Sequence, residues 1–229
     1  MMSLVCLVWT ILAYIGAKQL YKKYPKIWLT PAITVPTITI VLMVLFGISY
    51  QTYNQDTHWL TQLIGPATVA FAVPIYRYRH IIKEHIVVLM VSIFVGMSVG
   101  VLSAYGFAQL FHFDSEVTHS LMARSISTPF AMILAEDLHG SAALVSLFTV
   151  ITGFIGMIFG DLILAITKIK SNIANGAALG NGAHAFGTAR AHQRHSEEGV
   201  IASLTMVIAG ILMVVVGPFL IQLFITVCN

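Results

Sequence analysis

The chain has 229 residues, of which 58% are hydrophobic and only 9% are charged, with a net charge of +3 and a mean hydropathy of +0.88. Because a soluble domain carries roughly 25% charged residues, this composition excludes an ordinary soluble protein. The apolar runs are also much longer than the ~10 residues of a transmembrane barrel strand. The composition therefore predicts an all-α, polytopic membrane protein, and we expect one membrane domain over residues 1–229, with membrane lipid and no nucleic acid around it.

Apolar runs predict about six transmembrane helices along the chain. In the third, Gly65-Pro66 and Pro74 predict a kink, because proline removes a backbone donor. Gly217-Pro218 predicts an interruption late in the last. The first run has no basic residues before it and no cleavage pattern, which favours a retained span over a signal peptide. The six predicted spans are residues 4–17, 31–50, 59–76, 86–111, 141–167 and 200–227.

Two further segments, residues 121–138 and 171–195, lie between predicted spans. The apolar core of the first is too short to cross a bilayer comfortably. With the N-terminus outside, the positive-inside rule places every Lys and Arg except Arg124 on the inner side if both segments are re-entrant hairpins that enter from opposite sides. In the alternative, residues 121–138 cross fully and Lys168 and Lys170 lie outside. We prefer the re-entrant arrangement.

Opposed hairpins with broken helices are a common way for secondary transporters to build a site at the membrane midplane. A half-helix N-terminus offers free N–H groups and a positive dipole end to an anion. Ser127-Thr128-Pro129 has the pattern of a helix start, with a hydroxyl N-cap followed by proline. In the second segment, residues 180–191 read G-N-G-A-H-A-F-G-T-A-R-A, where a helix starting after Gly182 would stack His184 on Thr188.

These patterns predict a binding site for a small carboxylate between the two hairpins, with Arg124 and Arg190 as counter-charges facing one cavity. The predicted site residues are Arg124, Ser127, Thr128, Pro129, Asn181, His184, Thr188 and Arg190. The alternative interpretation of residues 180–191 is a glycine-rich cytoplasmic loop. Arg124 could equally be an interfacial cation, and His184 a histidine hydrogen-bonded within the bundle.

Other polar residues have plainer interpretations. Asp161 could pair with Lys168 or face water. The pair His192 and His195 has metal-like spacing but no carboxylate or thiol in register, so we expect neither a metal nor a cofactor. Gly96 and Gly100 at small-xxx-small spacing predict helix packing.

Three separated motifs resemble those of the LrgB/CidB family of bacterial inner-membrane proteins over roughly residues 30–226. Residues 124–131 read R-S-I-S-T-P-F-A, residues 180–191 are as quoted above, and residues 198–200 read E-G-V. The family's pattern is close to K-S-V-T-T-P-I-A, G-T-A-S-H-A-L-G-T-A-R-A and E-G-A. Arg124 therefore stands where Lys is usual, Ser127 where Thr is usual and Ala183 where Ser is usual.

The resemblance implies two functions. Family members are described as holin- or antiholin-like modulators of murein hydrolase export and lysis that work beside a small LrgA/CidA-type membrane protein. Plant relatives resemble plastidial glycolate/glycerate carriers, and some bacterial ones are linked to pyruvate. We expect a carrier of small monocarboxylates, as a homo-oligomer in the bacterial inner membrane. An enzyme is not expected, because no nucleophile motif such as G-x-S-x-G accompanies Ser125, Ser127 and His184.

Overall fold

The computed structural model describes residues 2–26, 29–63, 66, 69–70 and 72–228, and within these ranges the regular structure is helical, without strands. The helices in chain order are α1 (Met2–Lys23), α2 (Pro31–Leu45), α3 (Tyr50–Gln62), α4 (Ala72–Arg77), α5 (Arg79–Glu84), α6 (Ile86–Leu110), α7 (Ser115–Ala123), α8 (Thr128–Asp137), α9 (Ala142–Thr167), α10 (Asn172–Arg194) and α11 (Ser196–Cys228). The all-α prediction is confirmed.

The chain divides into two compact units, Met1–Val69 and Ala70–Asn229. In the first unit α1 packs against α2 and α3. Trp9 Nε1 donates to Thr39 Oγ1 of α2 at 3.2 Å, and the hydroxyls of Thr10 and Tyr53 lie 3.0 Å apart. These polar contacts fix three helices that are otherwise joined by apolar packing. The expectation of one membrane domain over the whole chain stays a prediction.

Four helices of the described residues are long and apolar enough to cross a membrane, namely Met2–Lys23, Ile86–Leu110, Ala142–Thr167 and Ser196–Thr226. This pattern confirms a polytopic membrane protein. The second predicted span, residues 31–50, is shorter than expected, because α2 ends at Leu45 and Gly47 turns the chain with φ 62°.

The third predicted span begins differently from the prediction, because residues 50–62 form the polar helix α3. The predicted kink at Gly65-Pro66 involves Gly65, which lies outside the described residues. The predicted interruption at Gly217-Pro218 is wrong, since α11 continues through Pro218 to Cys228. Between the third and fourth predicted spans lies the short helix α5.

The first hairpin consists of α7, the turn 124–127 and α8. With 9 and 10 residues, its arms are only about 14 and 15 Å long at 1.5 Å per residue, too short to cross. The main-chain N–H of Ser141, beyond the second arm, donates to Ser120 Oγ of the first arm at 2.8 Å. The chain therefore turns back, as the sequence predicted for residues 121–138, although the first arm already begins at Ser115.

The second hairpin is α10, which is two helical arms joined at His184. This residue has φ 49° and ψ −126°, far from helical values. A Cβ placed on Gly187 would collide with the carbonyl oxygen of Leu179, which in a straight helix lies two turns away. At the other end, Asn172 Nδ2 donates to Glu197 Oε2 at 2.8 Å. The segment thus enters and leaves at the same place, as predicted.

The two hairpins open at opposite ends of α9. The base of the first hairpin, where its two ends meet, contacts Ser141 at the start of α9. The base of the second lies beyond the other end, where Asn175 Nδ2 donates to the carbonyl of Ile169 at 3.3 Å. With 26 residues, α9 separates the bases by about 39 Å. The hairpins therefore point toward each other from opposite ends of this span.

The main apolar core of the second unit surrounds the first hairpin. Met97 of α6, Met122 of α7, Leu134 of α8 and Met213 of α11 belong to one cluster and are almost completely buried. Gly210 of α11 gives room for the ring of Phe130 at the start of α8. Because lipid is as apolar as these side chains, close packing of this kind holds helices together in a membrane.

Candidate functional site

A cavity of about 490 Å³ lies where the two hairpin tips meet α6 and α9, and this volume is within the ~300–1,000 Å³ typical of ligand sites. Three predicted site residues, Arg124, Asn181 and His184, line it. Its other lining residues are Val88, Ser92, Gly96, Val99, Gly100, Ser103, Ser125, Thr152, Ala174, Ala177, Ala178 and Gly182.

One face of α6 receives both hairpin tips. The side chain of Asn181 occupies the space above Gly96, and Asn181 Nδ2 donates to the carbonyl of Ser92 at 2.8 Å. One turn further, a Cβ on Gly100 would lie 2.8 Å from Cβ of Ser125. The predicted packing role of Gly96 and Gly100 is therefore confirmed. Both glycines lie near the middle of α6, so the tips meet near mid-span.

Arg124 ends α7 and turns toward α9. Its Nη1 donates to Thr152 Oγ1 at 2.7 Å, and Thr149 Oγ1 donates to the main-chain carbonyl of Arg124 at 3.4 Å. None of the ion pairs formed within the described ranges involves Arg124. A half-buried guanidinium thus faces the cavity with a neutral partner, which favours an anion as the missing counter-charge.

His184 joins the two arms of the second hairpin and reaches the tip of the first. The residue is only 4% exposed, and it lines the cavity together with Ser125 at the tip of the first hairpin. Nδ1 is buried without a protein partner. A buried polar atom left unpaired costs free energy, and this nitrogen belongs to a residue that lines the cavity.

The other five predicted site residues do not line the cavity, namely Ser127, Thr128, Pro129, Thr188 and Arg190. Ser127 is the N-cap of α8, and Pro129 follows Thr128 in its first turn, which confirms the predicted helix start. However, Ser127 Oγ makes no capping bond and is buried without a partner. In the second hairpin Thr188 Oγ1 faces the sulfur of Met206 at 3.8 Å. The predicted stacking of His184 on Thr188 in one helix is wrong, because the backbone of His184 is not helical.

Arg190 lies at the base of the second hairpin rather than at its tip. Its Nε donates to Asp161 of α9, and its Nη1 donates to Gln193 at 3.1 Å. Asp161 also accepts from Arg194 at 3.1 Å, and Arg194 pairs with Glu198 at 2.8 Å. The expectation that Arg190 faces the cavity of Arg124 is therefore wrong, as is the pairing of Asp161 with Lys168.

The histidines after the second hairpin have separate partners. His192 Nε2 lies 3.3 Å from Ser203 Oγ, whereas His195 Nδ1 lies 3.4 Å from Asn172 Nδ2. Among the described residues, no three His, Cys, Asp or Glu side chains are placed to hold a metal ion. The two histidines thus link the base of the second hairpin to α11 and to the hairpin's first arm.

Several polar lining residues were not predicted, namely Ser92, Ser103, Ser125 and Thr152. A signal for two of them was available in the sequence. Ser92, Gly96, Gly100 and Ser103 recur at spacings of 4, 4 and 3 in an apolar span, which places them on one helical face. Thr152 carried no such signal, because isolated threonines in membrane helices usually bond to their own backbone.

The fold and the site define a polytopic α-helical membrane protein in which two opposed re-entrant hairpins meet at a cavity lined by Arg124, Asn181 and His184 among mostly apolar residues. More specifically, the chain belongs to the LrgB-like family, whose profile matches residues 10–223. This confirms the resemblance seen in the three motifs and extends it toward the N-terminus.

Similar proteins cover almost the whole chain. The uncharacterized protein YwbG of Bacillus subtilis is 33% identical over 220 residues, 96% of this chain and 98% of that protein. The uncharacterized protein YxaC of the same organism is 33% identical over 97% of this chain and 96% of its own. The holin-like protein CidB of Staphylococcus aureus is 31% identical over 97% of both. No solved structure matches the chain.

Proposed function

We propose that this protein is a secondary transporter of small monocarboxylates, related in size and charge to pyruvate or glycolate, which bind in the cavity between the two hairpin tips. The observation that carries the proposal is the guanidinium of Arg124, which faces the cavity with a neutral hydroxyl as its partner. An unpaired charge within a membrane is costly, and a bound carboxylate would offset this cost by a charge-assisted hydrogen bond.

The charge and size of the cavity support a single small anion. Arg124 is the one Lys or Arg among its described lining residues, which include no acid, so a second substrate carboxylate would have no counter-charge there. At about 30 Å³ per water, a cavity of about 490 Å³ has room for roughly sixteen waters. A three-carbon acid with several waters would fit, and Asn181 and His184 could hydrogen-bond to it.

Uptake of labelled pyruvate and glycolate into proteoliposomes tests the proposal. Arg124→Gln should weaken apparent binding by at least about 30-fold, since loss of one partner of a buried charged pair costs at least ~2 kcal/mol. Arg124→Lys keeps the charge but loses the planar fork, so its loss should be smaller. Arg79→Gln is the matched control, because Arg79 is exposed on α5. Equal uptake by Arg124→Gln and the wild type would contradict the proposal.

A second function is favoured by the name of a relative, the holin-like protein CidB. Under this alternative the chain would modulate murein hydrolase export and lysis, together with a small LrgA/CidA-type membrane protein. Such a protein would release unrelated solutes from liposomes and bind no monocarboxylate by calorimetry. Saturable pyruvate binding without leakage of a neutral dye of similar size would reject it.

We also propose a bacterial inner-membrane location, a homo-oligomer and an outside N-terminus. The support for this orientation is the basic residues, which it collects on the inner side apart from Arg124. Single cysteines at Asp114 and His119 should then react with an impermeant reagent from outside, and a cysteine at Lys170 only from inside. Labelling of the Lys170 position from outside would reverse the proposed orientation.

A further inference from the structure

The two arginines that the sequence assigned to the site are held in different ways. Arg190 is paired with the carboxylate of Asp161, so its charge is compensated by the protein. Arg124 Nη1 donates instead to the hydroxyl oxygen of Thr152 at 2.7 Å. Both contacts join a hairpin to α9, but only the second leaves the arginine's charge uncompensated.

A hydroxyl orients a guanidinium without cancelling its charge. Arginine has five N–H donors in a fixed planar fork, and the bond to Thr152 uses one of them. The main chain of Arg124 is fixed from the same helix, since Thr149 Oγ1 donates to its carbonyl at 3.4 Å. One turn of α9 therefore fixes both ends of this residue, and the other N–H groups are free to bind an anion.

On the side of the first hairpin tip that faces α6, the backbone next to Arg124 has little room to move. Ser125, the next residue, is pressed against Gly100 of α6, where a Cβ would lie 2.8 Å from Cβ of Ser125. Because the backbone is held on both sides, the direction of the guanidinium depends on the side-chain bond to Thr152. Without this acceptor, the long side chain would sample several rotamers, and binding would have to restrict them.

We propose that Thr152 is the positioning residue for Arg124, a neutral acceptor on α9 that directs the guanidinium into the cavity and leaves its charge available for a monoanion. This inference rests on the proposed function, because it concerns the same site. Thr152 accepts a hydrogen bond from Arg124, as the carboxylate of Asp161 does from Arg190. The difference between the two acceptors decides which arginine can bind an external anion.

Three substitutions at Thr152 separate the effect of orienting the Arg124 guanidinium from the effect of its charge. Thr152→Val removes the acceptor at nearly constant volume, and we expect the KM for labelled pyruvate in proteoliposomes to rise about tenfold while the maximal rate changes less than about twofold. A tenfold change corresponds to about 1.4 kcal/mol. Thr152→Ser keeps the acceptor and should restore the wild-type KM. Thr152→Asp should hold the guanidinium but neutralise it, and saturable uptake should disappear.

Thr167→Val is the matched control, since Thr167 is exposed at the other end of α9 and bonds only to its own helix. A double variant tests whether Thr152 acts through the arginine. With pyruvate concentrations raised to suit the weaker binding, adding Thr152→Val to Arg124→Gln should alter the KM less than about twofold. A tenfold effect that persists in that background would overturn the positioning role in favour of direct contact with the substrate.

The failure of this inference is distinguishable from failure of the proposed function. Wild-type protein without saturable pyruvate uptake would reject the transporter. Normal wild-type uptake together with an unchanged KM in Thr152→Val, or undiminished uptake by Thr152→Asp, would reject only the positioning role. If Thr152→Val does not insert into the membrane, the contrast between the Ser and Asp variants still decides the matter.

Discussion

The break in the second hairpin predicts that glycine at position 184 gives a more stable protein than alanine, which is the reverse of their order in an ordinary helix. His184 has φ 49° and ψ −126°, a combination that an L-residue reaches only with strain, whereas glycine adopts it readily. In an ordinary helix alanine is the more stable of the two by ~1 kcal/mol. At position 184 the order should be reversed, because the backbone strain applies to alanine and not to glycine.

The magnitude follows from the strain of such a conformation, about 1–3 kcal/mol for a non-glycine residue, less the greater backbone entropy that glycine loses on folding, about 0.5–1 kcal/mol. His184→Gly should therefore be more stable than His184→Ala by about 1 kcal/mol, the centre of a range of about 0–2.5 kcal/mol. Comparing these two variants with each other removes the loss of the imidazole from the difference. The matched control is Ala189→Gly, at an exposed position in the second arm of the hairpin, which should lose ~1 kcal/mol.

Thermal unfolding of the detergent-solubilised protein measures this difference. At roughly 2–4 °C per kcal/mol for a protein of this size, the His184→Gly variant should melt about 2–4 °C above the His184→Ala variant. Both should lose monocarboxylate binding, because both lack the imidazole. If the alanine variant melts at the same temperature or higher, position 184 is helical, and the hairpin does not turn there.

Two further predictions concern the second hairpin. A double-mutant cycle of Asp161→Asn and Arg190→Gln, measured by thermal unfolding, should give a coupling free energy of about 1 kcal/mol, because a partly exposed ion pair is stronger than a surface pair and weaker than a buried one. A coupling free energy below ~0.3 kcal/mol would mean that the pair does not form. Gly180→Val should destabilise the protein by about 1–3 kcal/mol or more, since a Cβ there would lie 2.8 Å from Cα of Ala202, whereas Gly106→Val meets open space and should melt like the wild type.

The hairpins could be predicted from the sequence, because two simple constraints fix them. The apolar core within residues 121–138 is too short for a bilayer, and the charges at Lys168 and Lys170 determine which side the chain must reach. Both constraints depend on length and charge, which are local properties of the sequence. The break itself was predicted near Gly182 to His184, and the structure has it at His184.

The side-chain arrangement at the tips was predicted only in part. A positive φ is expected at glycine, so a break at a histidine among small residues gives little signal in the sequence. The nearby glycines are used for close approach instead, Gly180 to Ala202 and Gly187 to Leu179. Because the second arm starts after His184, Arg190 points to Asp161 of α9, a contact between residues 29 positions apart that no local pattern encodes.

The bases of the two hairpins are held to their neighbours by different kinds of contact. At the second, charged side chains join the hairpin to its neighbours, as in the pairs Arg190–Asp161 and Arg194–Glu198. At the first, the fastening is the neutral bond from Ser141 to Ser120, and within the described ranges no ion pair involves residues 115–141. Dissolved salt weakens charge pairs, although it screens partly buried pairs in direct contact much less than exposed ones, and it scarcely affects neutral hydrogen bonds. A rise in electrolyte concentration in the compartment that bathes the second base therefore weakens its ion pairs slightly, and the same rise on the opposite side leaves the first base unchanged. The protein is thereby unequally sensitive to the ionic composition of the two solutions that it separates.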